Sequence, residues 1–133
     1  MYPCFRAGAF TLALQRCTGE AEWTLHGLWP SGVRSCSDEK FEASLIDSDL
    51  REALVAQWPT CRRGHENADF WKHEWEAHGT CTGLAQRTYF WRSVELLNMH
   101  AGLCANVTRA TCHLCLTADF KPCGELQVGE DEG

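Results

Sequence analysis

The stretch FWKHEWEAHGTC, residues Phe70–Cys81, interleaves aromatic side chains with ionisable ones at close spacing. On a helix turning about 100° per residue, His73, Glu74 and His78 fall within a sector of about 140°, so one flank carries two imidazoles and a carboxylate. A second stretch, WTLHGLWP (Trp23–Pro30), supplies a lone His26 from another part of the chain. Two imidazoles with ordinary pKa values of about 6.5 can be held one neutral and one protonated at mildly acidic pH. A reaction that needs a base and an acid in the same step requires that combination. No nucleophilic serine or metal cage stands out, and neither a metal nor another cofactor is called for. An isolated histidine is more often a surface or core group than a catalyst, which is the reading given to His65, His100 and His113.

Outward from these segments the chain shows strand and helix signals in alternation. Ala9–Gln15 reads as a strand, and Trp23–Trp29 as a second one ended by Pro30-Ser31-Gly32. Asp47-Ser48-Asp49 offers a cap to a helix through Leu50, Leu54, Val55 and Trp58, stopped by Pro59. Cys61–Glu66 is a polar loop, after which Asn67 or Asp69 would cap the helix bearing His73, with Gly79 at its end. A further helix spans about Thr88–His100, and Thr111–Phe120 reads as a strand leading into a turn at Pro122. Trp58, Trp71, Trp75 and Trp91 are assigned mainly to the core. The closing GEDEG reads as a solvated tail. No repeat or linker splits residues 1–133, so one domain is expected.

A net charge of -6 is unusual for a partner of a polyanion, because phosphate binding is normally driven by Lys and Arg. The six histidines alter that balance: once protonated, they and the 12 Lys and Arg match the 18 Asp and Glu. Repulsion from a nucleic acid should therefore fall below about pH 6. Nine cysteines imply an oxidising compartment and a disulfide framework with one left over. Secreted, lysosomal or vacuolar residence follows. Asn106-Val107-Thr108 is a glycosylation sequon consistent with that route. The apolar run Ala9–Leu14 lacks the flanks of a signal peptide, and no segment is long enough to span a membrane.

The two segments together, in this order, resemble the paired hallmark motifs of the ribonuclease T2 family, and the resemblance runs from about Phe10 to His100 and more weakly from Thr111 to Cys123. It implies an α+β fold, an antiparallel sheet flanked by helices, and an endoribonuclease that cleaves single-stranded RNA. The implied chemistry is metal-independent transphosphorylation through a 2′,3′-cyclic phosphate, with DNA excluded because the 2′-hydroxyl is the attacking group. By position, His78 would be the general base and His26 the general acid, with His73 binding phosphate and Glu74 orienting or polarising the phosphorane. Trp29 would stack on a base, typically worth about 1–3 kcal/mol, and Gln15 would lie near a base subsite. The family pairing joins Cys36 to Cys81, and Cys115 with Cys123 resembles a small late loop; Cys17 with Cys61 is a further pairing. Cys4, Cys104 and Cys112 are unassigned. A monomer is expected. The chain ends sooner after the second motif than family chains do, which leaves open a shortened sheet or a domain incomplete after about residue 100.

One position departs from the family: Ala77 stands where its members carry lysine. Removing a preorganised group beside developing charge can cost about 3 kcal/mol. Lys72 lies about 140° around the helix from position 77, so Arg34, Arg62, Arg63 and Arg87 are left as sources of a replacement cation. This departure supports an alternative, a catalytically weakened relative that acts by binding RNA or a protein. Two other readings compete less well. A zincin helix needs H-E-x-x-H, whereas His73 and His78 stand in H-E-x-x-x-H. A zinc module could start from Cys112-His113-Leu114-Cys115 with Cys104 and Cys123, but without matched spacing elsewhere.

Overall fold

Three strands with alternating small and branched residues build the sheet that carries one half of the site. In the computed structural model, which describes residues 8–123, β1 (Phe10–Gln15) lies between β2 (Thr24–Pro30) and β3 (Thr111–Leu116), antiparallel to both. Because successive side chains alternate faces, the register places Leu12, Leu14, Leu25, Leu28, Cys112, Leu114 and Leu116 on one side. All seven are buried, and this face forms the core with Tyr89, Phe90 and Leu97. The opposite face presents Ala13, Gly27, Trp29 and His113.

The helices are α1 (Ser48–Gln57), α2 (Asn67–Ala77) and α3 (Gln86–His100). Asp47 caps α1 as expected, its carboxylate accepting from Leu50 N at 3.1 Å, and the backbone leaves the helix at Trp58 before Pro59. At α2 neither expected cap holds. Glu66 occupies the cap position, while Asn67 is already helical and its Oδ1 accepts instead from Thr60 N at 2.8 Å. Gly79 is not a left-handed stop either, for α2 ends at Ala77 and passes through His78 into a 3-10 turn over Gly79–Cys81. The glycine is required by packing, since a Cβ there would enter the Trp75 ring. Helix α3 starts two residues before Thr88, because the buried Gln86 amide is matched at both ends by the Glu42 backbone, at 2.8 and 3.0 Å.

Strand β3 is shorter than the expected Thr111–Phe120. Beyond Leu116 the chain turns back on itself through Thr117 N to Lys121 O at 2.8 Å, with Phe120 at φ 67°. Trp58, Trp71 and Trp75 are buried core residues, whereas Trp91 is half-buried against them. The disulfides are Cys17–Cys61, Cys36–Cys81, Cys115–Cys123 and Cys104–Cys112, the last pair not assigned from sequence. These bonds consume the thiolates that a zinc module would need. Cys4 and the GEDEG segment lie outside the described residues. No helix among the described residues is long and apolar enough to cross a membrane.

Candidate active site

His26 and Trp29 are three residues apart on β2, a spacing that in a regular strand would send them to opposite faces. A bulge resolves this. Ala13 pairs with Gly27 and Leu14 pairs with Leu25, so His26 is an extra residue without a partner of its own in the ladder. The imidazole is thereby turned to the side of Trp29, and the two rings meet edge to face at 5.0 Å. An unladdered, buried carbonyl needs another donor. Trp58 Nε1 supplies it, donating to His26 O at 3.0 Å, and Trp71 Nε1 in turn donates to Trp58 O at 2.7 Å. Two core tryptophans thus fix the bulge by their N–H groups as well as by packing.

Helix α2 brings the other half. Glu74 is fully buried, and a buried carboxylate is tolerated only with close polar partners. Trp29 Nε1 donates to its Oε1 at 2.8 Å; His26 Nε2 lies 3.6 Å from Oε2, and His78 Nε2 lies 3.9 Å from Oε1. A carboxylate between two imidazoles can balance the charge of whichever one is protonated. Gly27 makes room for the junction, since a Cβ there would strike Glu74 Oε1 and Trp29 Nε1. Behind it, burial and then the Glu74 charge push the Tyr89 phenol well above its usual range. Tyr89 therefore stays protonated and donates to Leu28 O at 3.2 Å.

The structure thus gathers His26, Glu74 and His78, with the exposed His73 ring 6.4 Å from that of His78. A cleft of about 330 Å³ opens onto His26, His73, Glu74 and Phe70, with Gln15 from the end of β1 in its wall. Its far side is the loop bearing Cys61, Arg62 and His65, with Asp69 at the start of α2. That volume is within the range of small-ligand sites. His78, 3 % exposed, stands behind Glu74 and does not line the cleft.

Trp29 is not placed as a stacking platform. It is 3 % exposed, with His26, His78 and His113 against its ring at 5.0, 5.1 and 5.4 Å, so no open face is offered to a base. Its i+3 spacing from His26 gave no sign of this, because the bulge is invisible in the sequence. Arg62, one of four arginines open as a replacement cation, and Asp69, expected only as a helix cap, both stand in the cleft wall, a placement that the sequence could not give. His113, read as an ordinary histidine, supports the edge of the Trp29 indole. A larger hollow of about 440 Å³, near Trp23 and Leu97, contains none of the motif residues. Among the described residues no three His, Cys, Asp or Glu side chains cluster as metal ligands.

A buried carboxylate set between two imidazoles, contributed by a bulged strand and a helix end beside an open cleft, marks this disulfide-braced α+β protein. Its sequence matches the Ribonuclease T2 family over residues 4–111, and the chain belongs to that family. It is 37 % identical to human ribonuclease T2 over 109 residues, 74 % of this chain but 42 % of the relative, so it spans less than half the length of that protein. Ribonuclease MC1 from bitter gourd seeds superposes with a TM-score of 0.61 at 32 % identity, covering 68 % of this chain and 57 % of that one. The crystal structure of human RNase T2 gives a TM-score of 0.71 at 24 % identity over 92 % of this chain and 94 % of that one, a likeness of fold.

Proposed function

We propose that this protein is an endoribonuclease that cleaves single-stranded RNA by attack of the ribose 2′-oxygen on the adjacent phosphorus, leaving a 2′,3′-cyclic phosphate. The observation that carries the reading is the placement of His26 and His78 on either side of the buried Glu74, with His73 beside the cleft. In this scheme His78 takes the 2′-hydroxyl proton and His26 delivers one to the departing 5′-oxygen. Glu74 balances the imidazolium, and His73 meets the phosphate. Gln15, in the wall of the cleft, contacts a base. The reaction needs no metal, and DNA, without the attacking hydroxyl, is bound at most. The family membership and the 5′-GMP held by a variant of RNase MC1 support nucleotide binding in this cleft. We also infer one domain across residues 1–133, a monomer, and a secreted or lysosomal/vacuolar glycoprotein carrying its glycan on the exposed Asn106.

One observation favours a second assignment of the base. His73 lines the cleft and His78 does not, so His73 could face the 2′-hydroxyl while His78 holds Glu74 in place. Cleavage of single-stranded RNA with EDTA present, scanned over pH, with mass analysis of the fragment ends, tests both. The expected result is a bell-shaped profile, cyclic-phosphate ends, and near-complete loss of turnover in His26→Ala and His78→Ala. Activity lost in EDTA, or 3′-hydroxyl ends, would overturn the mechanism. A greater loss in His73→Ala than in His78→Ala would move the base to the cleft wall. Oligonucleotide binding with no turnover would leave the chain as a weakened, RNA-binding relative.

A further inference from the structure

The cation missing at position 77 has no substitute on α2. Ala77 is 5 % exposed, and Lys72 turns away to pair with Glu76 at 3.1 Å. Of the four arginines that the sequence left as candidates, Arg87 is held by Asp47 through Nε at 3.1 Å and Nη2 at 2.7 Å, and neither Arg34 nor Arg63 lines the cleft. Arg62 does line it, together with His26, His73 and Glu74, and makes no ion pair among the described residues. Among the described residues it is the one Lys or Arg in the cleft wall.

The backbone that bears Arg62 is fixed from several directions. Its neighbour Cys61 is bonded to Cys17, at the end of the sheet. Thr60 N donates to Asn67 Oδ1 at 2.8 Å, Arg62 N to Thr60 Oγ1 at 3.2 Å, and His65 N to Arg62 O at 3.2 Å. These bonds hold the loop through its backbone, and among the described residues the exposed guanidinium has no structural partner. Asp69 and Glu74 are the carboxylates facing the same space, so a polyanion entering it meets one permanent positive charge against two negative ones, with His26, His65 and His73 as neighbours. A planar guanidinium suits a phosphodiester, which it can grip through two parallel N–H···O bonds.

We propose that Arg62 is a substrate-binding residue that holds a backbone phosphate of RNA in this cleft, a role that rests on the ribonuclease reading but not on turnover. A 2′-O-methyl single-stranded oligonucleotide, which lacks the attacking hydroxyl, serves as probe, with affinity measured across a salt series. Arg62→Gln should weaken binding about tenfold at low salt, the weight of one charge-assisted contact, and lower the salt slope by about 0.7. Arg62→Lys should keep most of the slope. Arg63→Gln removes the same charge one residue away and should leave the slope unchanged. An unaltered slope in Arg62→Gln, or an equal fall in Arg63→Gln, would overturn the assignment, as would a wild-type chain that does not bind the probe. Binding that depends on Arg62 in a chain that leaves RNA intact would sink the endoribonuclease reading and keep this one.

Discussion

Ala77 is the residue at which chain and family part, and its surroundings say what a lysine there would meet. The side chain is buried, and its carbonyl accepts Ser35 N at 2.7 Å, so the loop after β2 lies against this turn of α2. Lysine favours helix almost as well as alanine, which removes any local objection. The objection is volume: the position is buried, and a four-carbon stem and an ammonium would have to find room in it. Ala77→Lys is therefore expected to lower stability by about 1–3 kcal/mol, as other small-to-large changes in packed positions do, without raising kcat. Thermal unfolding and steady-state kinetics on one preparation check it. A higher kcat at unchanged Tm would show that the packing yields and that the cation was all the site lacked.

Among the elements, α2 depends on a contact that titrates. Glu76 Oε2 accepts Phe41 N at 2.9 Å and Oε1 accepts Lys72 Nζ at 3.1 Å; the Phe41 amide first and Lys72 after it hold the carboxyl below its ordinary value of 4.5. A depressed folded pKa gives stability that is present above about pH 4.5 and lost as pH falls through the folded value. Glu76→Gln should thus cost about 1 kcal/mol or less at pH 6, and the difference from wild type should shrink as the pH falls below about 4.5. Urea melts on both sides of that pH measure it. The same helix shows how far the sequence could be read. Its motif set His73, Glu74 and His78 near one another, and in the structure His78 Nε2 is 3.9 Å from Glu74 Oε1 and its ring 6.4 Å from that of His73, although His78 stands just past the end of the helix. Its ends were not legible. Asn67 is a good cap by type, yet Thr60 claims its oxygen, and Gly79 is there for Trp75 rather than for a left-handed turn. On β2 the limit is sharper, since a bulge is a relation between two strands and leaves no trace in one of them. It moved His26 to the side of Trp29, where that ring joins His78 and His113 against the buried indole.

Across the whole molecule, the two long disulfides do more than brace the site. Each closes a loop worth about 4 kcal/mol in the chain-entropy account, with separations of 44 and 45 residues, and the loops overlap rather than nest. Consequently every peptide bond from Cys17 to Cys81 lies inside at least one covalent ring, and those between Cys36 and Cys61 lie inside both. A protease that nicks the exposed segments around Ser35 or Gly64 would leave His26 and His78 parts of one molecule. Limited proteolysis should yield a product that runs intact on a non-reducing gel, retains whatever activity the uncut chain has, and separates into fragments only after a thiol is added. A nicked chain that fell apart without reductant would contradict the pairing. For this chain, being cut and being dismantled would then be different events.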